Sequence, residues 1–410
     1  MAEKIQAPRG TFDVLPDDGR ARLELIRAAE RIFGAAGYGP IETPVFEATE
    51  LFERGVGDTT DVVEKEMFTF EDQGGRSITL RPEGTAPVCR AYVEHGMHKW
   101  AQPVKLWYQG PFFRYEAPQA GRFRQFTQIG LEALGSDDPS LDADAILLLV
   151  ELLEWARARG VRVRISSLGT ADTRRAYSDE LREHLRARED QLSDDVRARL
   201  DRNPLRAFDS DHPGTRAALE GAPRLLDRLS GEDADHFAAV RELLDGAGLE
   251  YEVDGTLVRG LDYYTRTVFE VESTELGAQS ALGGGGRYDG LVEMLGGPAT
   301  PGVGWAAGIE RILLAGDVEP PREAPVYVAG TASSAARFLV AADLRGRGIA
   351  AEVEQAGRSL KGQFKHADRI GARAVVIVED DGLEVKDMAS GEQRAVGSVD
   401  DVVDALTAAR

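Results

Sequence analysis

The chain has 410 residues, 42% apolar and 29% charged, which is enough for two or three domains with separate cores. Its net charge of −21 excludes non-specific nucleic-acid binding through the whole surface, and its single cysteine, Cys89, excludes a disulfide framework or a multi-cysteine zinc site. The histidines include no His-x-x-x-His pair, the N-terminus has no apolar leader, and the longest apolar stretch, 145–155, is short and contains Glu151. No metal held by protein ligands alone and no membrane span is therefore expected, and the cytoplasm is the natural compartment.

Residues 17–36 place Leu23, Ile26, Ala29, Ile32 and Phe33 at helical spacing, and Gly37 stops the helix. Short apolar runs bounded by turn residues follow at 39–44, 67–70, 77–80, 104–108, 112–115 and 126–131. They predict a mostly antiparallel sheet with helices between, and 142–160 predicts a strong helix. Residues 170–250 are rich in Arg, Asp, Glu, Ala and Leu and poor in β-branched residues, the composition of a helical insertion between two sheet-forming parts, 1–169 and 251–320. Strand signals return at 251–253, at Leu257 and at 267–272. A proline-rich linker at 320–325 precedes a βαβαβ pattern over 321–410, with strands at 326–329, 350–354 and 374–378 and helices at 332–346 and 359–370. A hairpin turning at Ser390-Gly391 and a final helix capped by Ser398-x-x-Asp401 close the chain.

Six segments carry chemistry. Arg81-Pro-Glu-Gly-Thr85 closes an apolar run, where an acid followed by a threonine suits an ammonium group or a plain exposed turn. In Phe112-Phe-Arg-Tyr-Glu116 the arginine alternates with apolar neighbours. In Gly121–Glu132 the two-residue period puts Gln128, Gly130 and Glu132 on one strand face, costly to bury without a ligand or partner. The run Leu257–Glu270 joins Arg259 to Tyr263 and Tyr264. As a strand burying Leu257, Leu261 and Val268, it would set a guanidinium that grips carboxylate or phosphate beside two phenols. Gly283–Gly286 would let a ligand approach the backbone closely with Arg287 nearby, or be a flexible turn. Gly302–Arg311 places an arginine in the first turn of a helix, where the helix dipole disfavours a cation unless it serves an anion.

Together these segments resemble a class II aminoacyl-tRNA synthetase. Gly37–Glu47 looks like its dimer-forming motif 1, Phe113–Glu132 like motif 2 and Gly304–Arg311 like motif 3. Within the class, Leu257–Glu270 and Gly285-Gly-Arg-Tyr-Asp-Gly290 are similar to the signature peptides of histidyl-tRNA synthetases. Lys361-x-x-Phe364-Lys365-x-Ala367-Asp368 looks like the bacterial-type anticodon-binding domain. The resemblance implies an α+β fold: a class II synthetase-like antiparallel β-sheet catalytic domain flanked by helices, a helical insertion, and a C-terminal α/β anticodon-binding domain. It implies ATP-dependent ligation of L-histidine to tRNA(His) through a histidyl-adenylate, with ATP and Mg²⁺ as cofactors and a homodimer as the assembly.

The implied roles place Glu83, Gly84, Thr85 and Gln128 around the histidine ammonium. Glu132 and Tyr264 would bond the two imidazole nitrogens, with Tyr263 lining that pocket. Arg114 and Arg259 would be the catalytic cations on the α-phosphate and carboxylate, and Phe126 and Arg311 would sandwich adenine. Arg358, Lys361 and Lys365, with Arg369 and Arg373, are the candidate tRNA contacts. The stretch 321–410 carries 12 basic against 14 acidic residues, so the first 320 residues hold about −19 of the −21 and the C-terminal part repels a polyanion least. Two positions depart from the family pattern: Thr127, where many relatives carry histidine, and Gly283, where cysteine is common.

Overall fold

The computed structural model describes residues 4–57, 60, 62–117, 121–258, 261–277, 280–320 and 324–408. The chain divides into two compact units, Met1–Glu319 and Pro320–Arg410.

In the first unit, helix α1 (Pro16–Ala35) opens on a proline, with Asp17 and Asp18 in its first turn against the positive end of the helix dipole. Gly37, at φ +84°, ends it. Strand β1 (Gly39–Pro40) follows. A small antiparallel sheet comes next, made of β2 (Phe46–Ala48), β3 (Phe68–Glu71) and β4 (Ser77–Leu80) in the order β2-β4-β3, with helix α2 (Thr49–Val56) between its first two strands. Helix α3 (Thr85–Glu94) leads to the long hairpin of β5 (Val104–Phe113) and β6 (Gln125–Leu134), paired from Val104↔Leu134 to Phe113↔Gln125. Helix α4 (Pro139–Trp155) is capped by Asp138, whose side chain accepts the Ser140 N–H.

Strand β7 (Val161–Ser167) precedes a helical segment with α5 (Ala171–Arg186), α6 (Asp194–Arg199), α7 (Pro213–Leu219) and α8 (Glu232–Gly246). Then come β8 (Glu252–Val253), β9 (Thr265–Ser273), β10 (Ala281–Arg287), the single turn α9 (Leu291–Met294), β11 (Gly302–Gly308) and α10 (Ile309–Ala315). The central sheet has eight strands in the order β1-β5-β6-β11-β10-β9-β7-β8. Its inner neighbours are antiparallel, and the two short edge strands pair in parallel.

The two-residue period divides β6 between two cores. Ile129, Leu131 and Ala133 pack with Phe33 of α1, Leu149 and Leu153 of α4, and Trp305 of β11. The opposite face of the sheet meets Tyr108, Tyr263, Tyr264 and Tyr288. Among the described residues no helix is long and apolar enough to cross a membrane.

Two expectations change. The runs 104–108 and 112–115 belong mostly to one continuous strand, β5, which ends at Phe113. The described residues of the stretch from Leu257 to Tyr264 are not in a strand: an Asx turn at Asp254, whose Oδ1 accepts from Thr256 N (2.8 Å) and Oγ1 (2.6 Å), diverts the chain, and β9 begins at Thr265. Leu257 is buried all the same.

The second unit is a five-stranded sheet in the order β13-β12-β14-β15-β16, from β12 (Val326–Ala329), β13 (Ala351–Val353), β14 (Ala374–Glu379), β15 (Gly382–Asp387) and β16 (Gln393–Val396). The β12–β13 and β12–β14 pairs are parallel, joined through α11 (Ser334–Gly346) and α12 (Leu360–Arg369). The hairpin β15–β16 is antiparallel, and α13 (Val399–Ala408) starts with Ser398 Oγ accepting the Asp401 N–H (3.2 Å) while Asp401 accepts the Gly397 N–H (3.1 Å).

Candidate active site

A cavity of about 420 Å³ lies on the sheet face opposite Ile129, Leu131 and Ala133. Glu83, Gly84, Thr85, Arg114, Phe126, Gln128, Tyr263, Tyr264 and Arg311 all line it. Arg259 lies outside the described residues.

Glu83 sits where α3 begins. Its carboxylate accepts the N–H groups of Thr85 (2.7 Å) and Ala86 (3.0 Å), donors the helix leaves unpaired. Burial pushes its pKa up, and these bonds together with Arg114 pull it back. Gly84 is required by packing: a Cβ there would overlap the Tyr108 ring. Gln128 Oε1 is buried and has no hydrogen-bond partner among the described residues, a costly arrangement that a ligand donor relieves. The Tyr263 and Tyr264 rings pack at 4.7 Å between centroids, and Tyr263 meets Tyr288 edge-on at 5.8 Å.

On the other wall, Arg114 donates through Nε to Pro82 O (2.9 Å), and its guanidinium lies 5.4 Å from the Phe126 ring centroid. Arg311, in the first turn of α10, donates to Gly121 O (3.0 Å) and Ala281 O (2.6 Å). Burial, and then the nearby Arg122, push its pKa down, as expected of a cation gathered for an anion.

Glu132 differs from expectation. It is fully buried and does not line the cavity. Its oxygens accept from Thr85 Oγ1 (2.8 Å), Tyr108 OH (3.3 Å) and Tyr288 OH (2.5 Å), and Gly304 on the next strand leaves it room, since a Cβ there would overlap the carboxylate. Burial raises its pKa to about 8, against the pull of the three hydroxyls. Its carboxylate lies behind Thr85, among the hydroxyls of Tyr108 and Tyr288.

Arg287 is also corrected. It is fully buried and faces away from the cavity, bonding Asp142 of α4 through Nε (3.1 and 3.2 Å) and Nη2, Asp289 Oδ1 (3.2 Å) and Ser136 O (3.1 Å). It fastens the glycine strand to the helix layer, while Gly283 and Gly284 line the cavity. Thr127 is likewise off the cavity wall, its Oγ1 accepting from Arg22 Nη1 (2.8 Å).

Sequence reasoning missed Glu116, Arg122, Phe123, Glu270 and Glu310 on the wall, and Tyr108 and Tyr288 behind it. Two had a signal. Glu270 shares the face of Val268 by the strand period, and Tyr288 follows an arginine that points the other way.

In the second unit Lys361, Lys365 and Arg369 are exposed four residues apart on α12. Arg358 is half-buried against Glu354 (3.2 Å), and Arg373 is occupied by Leu406 O (3.1 Å), so it does not join the strip expected of it.

Residues 10–312 match the family model of histidyl-tRNA synthetase, and residues 326–409 match that of the anticodon-binding domain. A histidine--tRNA ligase of Halothermothrix orenii is 49% identical over 401 residues, 95% of this chain and 96% of its own. One from Rubrobacter xylanophilus is 48% identical over 407 residues, with the same shares. The crystal structure of apo S. aureus histidyl-tRNA synthetase superposes with a TM-score of 0.80 at 35% identity, over 98% of each chain.

Proposed function

Since the chain belongs to the histidyl-tRNA synthetase family and carries out the ATP-dependent ligation of L-histidine to tRNA(His), we propose that both small substrates meet in the cavity just described. Glu83, Thr85 and the orphaned oxygen of Gln128 hold the α-ammonium, with Gly84 admitting the backbone turn between them. Tyr264, with Tyr263 beside it, hydrogen-bonds the imidazole, and Glu132 sets the proton positions of Thr85, Tyr108 and Tyr288 from behind. Phe126 and Arg311 sandwich adenine. Arg114, and Arg259 by family resemblance, meet the α-phosphate and the attacking carboxylate.

The histidine carboxylate oxygen attacks the α-phosphorus in line, the bond to the bridging oxygen breaks, and pyrophosphate leaves with that electron pair. The terminal hydroxyl of the tRNA then attacks the activated carbonyl, its proton passes to an oxygen of the adenylate phosphate, the bond from the carbonyl carbon to that phosphate breaks, and AMP leaves. No protein nucleophile is needed; alignment and cations placed where charge develops supply the catalysis. Glu116 and Glu270 are wall carboxylates of the hard-oxygen type that suits Mg²⁺, and they would meet the ion as ATP brings it in, where it neutralises phosphate charge.

The observation that carries this reading is the gathering on one cavity of an acid–hydroxyl–amide set, two phenols and three arginines. Histidine-dependent ATP–pyrophosphate exchange tests it. Arg114→Ala is expected to slow exchange by ~10²-fold, and Tyr264→Phe to raise the KM for histidine while sparing that for ATP. Exchange driven equally by another amino acid, or untouched by both changes, refutes it.

Lys361, Lys365 and Arg369, with Arg358 at their edge, are the anticodon-side contacts. A second copy of the chain covers the apolar groove lined by Val14, Leu23, Ile26 and Pro111, giving a homodimer of cytoplasmic location. A monomer in light scattering refutes the dimer.

A further inference from the structure

The helical segment is fastened to the turn that carries the two tyrosines. Arg174 of α5 donates through Nη1 to the carbonyls of Asp262 (3.1 Å) and Tyr264 (2.5 Å). Asn203, after α6, donates Nδ2 to Asp262 Oδ1 (3.0 Å). Asp233 of α8 accepts from Arg266 Nε (3.3 Å), Thr170 N (2.8 Å) and Thr173 Oγ1 (2.9 Å). Arg266 itself has φ +45°, a left-handed conformation that a residue with a Cβ holds only when its surroundings impose it. Here they do: Arg266 N donates to Gly169 O and Arg266 O accepts from Leu168 N, both at 2.7 Å.

The turn is therefore held from α5, from the α6 loop and from α8, all within a segment that supplies no wall to the cavity. Arg174 is half-buried and directs a guanidinium nitrogen at two carbonyls, and burial pushes its pKa down, with the Asp262 charge acting the other way. Such a cation fixes backbone position, because one nitrogen whose two N–H groups each bond a carbonyl of the same turn tolerates little movement between them.

We propose that Arg174 and Asn203 are positioning residues for histidine recognition: they set the backbone of Asp262–Tyr264, and through it the point at which the Tyr264 hydroxyl meets the imidazole. The inference rests on the reading that Tyr264 lines the histidine subsite. It makes the helical segment a determinant of amino-acid affinity although it touches no amino acid.

The test uses the full chain and pyrophosphate exchange with histidine and ATP varied separately, beside the thermal unfolding midpoint. Arg174→Met is expected to raise the KM for histidine about tenfold and leave that for ATP within twofold, and Arg174→Lys to recover most of the loss. Asn203→Asp sets a second carboxylate against Asp262, and the same selective rise is expected. That variant decides the matter if Arg174→Met fails to fold. Histidine KM values within twofold of the parent in both, while Tyr264→Phe shifts it, overturn the inference and leave the site reading intact. A fall in the exchange rate constant that follows the fall in the unfolding midpoint, with both KM values unchanged, also overturns it, since that is loss of folded protein. An unchanged histidine KM in Tyr264→Phe overturns the site reading and the inference together.

Discussion

Replacing Glu132 by glutamine isolates what a carboxylate costs in this core. Its pKa stands at about 8 against an ordinary 4.5, a difference of about 3.5 units, or about 5 kcal/mol at ~1.4 kcal/mol per unit. Below pH ~4.5 the group is protonated in folded and unfolded chain alike. Between ~4.5 and ~8 the unfolded chain releases the proton and the folded chain keeps it, so stability falls as pH rises, and above ~8 the loss is complete. Glutamine has nearly the same volume, still offers an acceptor to Tyr288 or Thr85, and cannot ionise. The stability of Glu132→Gln relative to the parent should therefore climb across this window, by as much as about 5 kcal/mol. At roughly 2 °C per kcal/mol for a unit of this size, calorimetric midpoints at pH 5 and pH 9 should differ in their parent–variant gap by on the order of 10 °C. Parallel curves from pH 5 to pH 9 would show that the carboxylate ionises freely and that burial is not its controlling environment.

Asp142 and Arg287 are both fully buried, so Asp142→Asn leaves the buried guanidinium with only the more exposed Asp289 as charge partner and should cost about 3 kcal/mol in urea unfolding, while the double change to leucines should cost less than either single one. In the second unit, burial acts to raise the Glu354 carboxyl, but bonds from Tyr327 OH (2.6 Å), Arg358 N (3.1 Å) and Ala356 N (2.7 Å) outweigh it and hold the pKa at about 2. The stability this confers is present above pH ~4.5 and lost as pH falls towards 2, and Glu354→Gln should abolish that dependence in acid titrations followed by circular dichroism. Reversing Lys361, Lys365 and Arg369 to glutamate should weaken tRNA binding and flatten its salt dependence, by a slope of ~2–3 if each meets a phosphate, with histidine-dependent exchange unchanged.

The fold class was readable because its signals are local. Two-residue alternation in β6 separated Ile129, Leu131 and Ala133 from Gln128, Gly130 and Glu132, and the glycine and proline punctuation delimited most of the strands. Side-chain direction beyond a strand's two faces is set by partners distant in sequence, and there the reading failed. A ligand approaching the glycine run was expected to have Arg287 nearby, but a helix 145 residues earlier presents Asp142 to it, and Asp142 and Asp289 engage the charge. Period alone put Glu132 on the site face. It could not show that Gly304, arriving from another strand, opens a pocket deep enough to take the carboxylate out of the cavity and beneath three hydroxyls. The run from Leu257 had the apolar content of a strand, yet Asp254 captures its own chain two residues on, and the tyrosines reach the site on a turn. A turn needs external support where a strand has its ladder, and Arg174 and Asn203 supply it from a segment that composition alone marks only as helical.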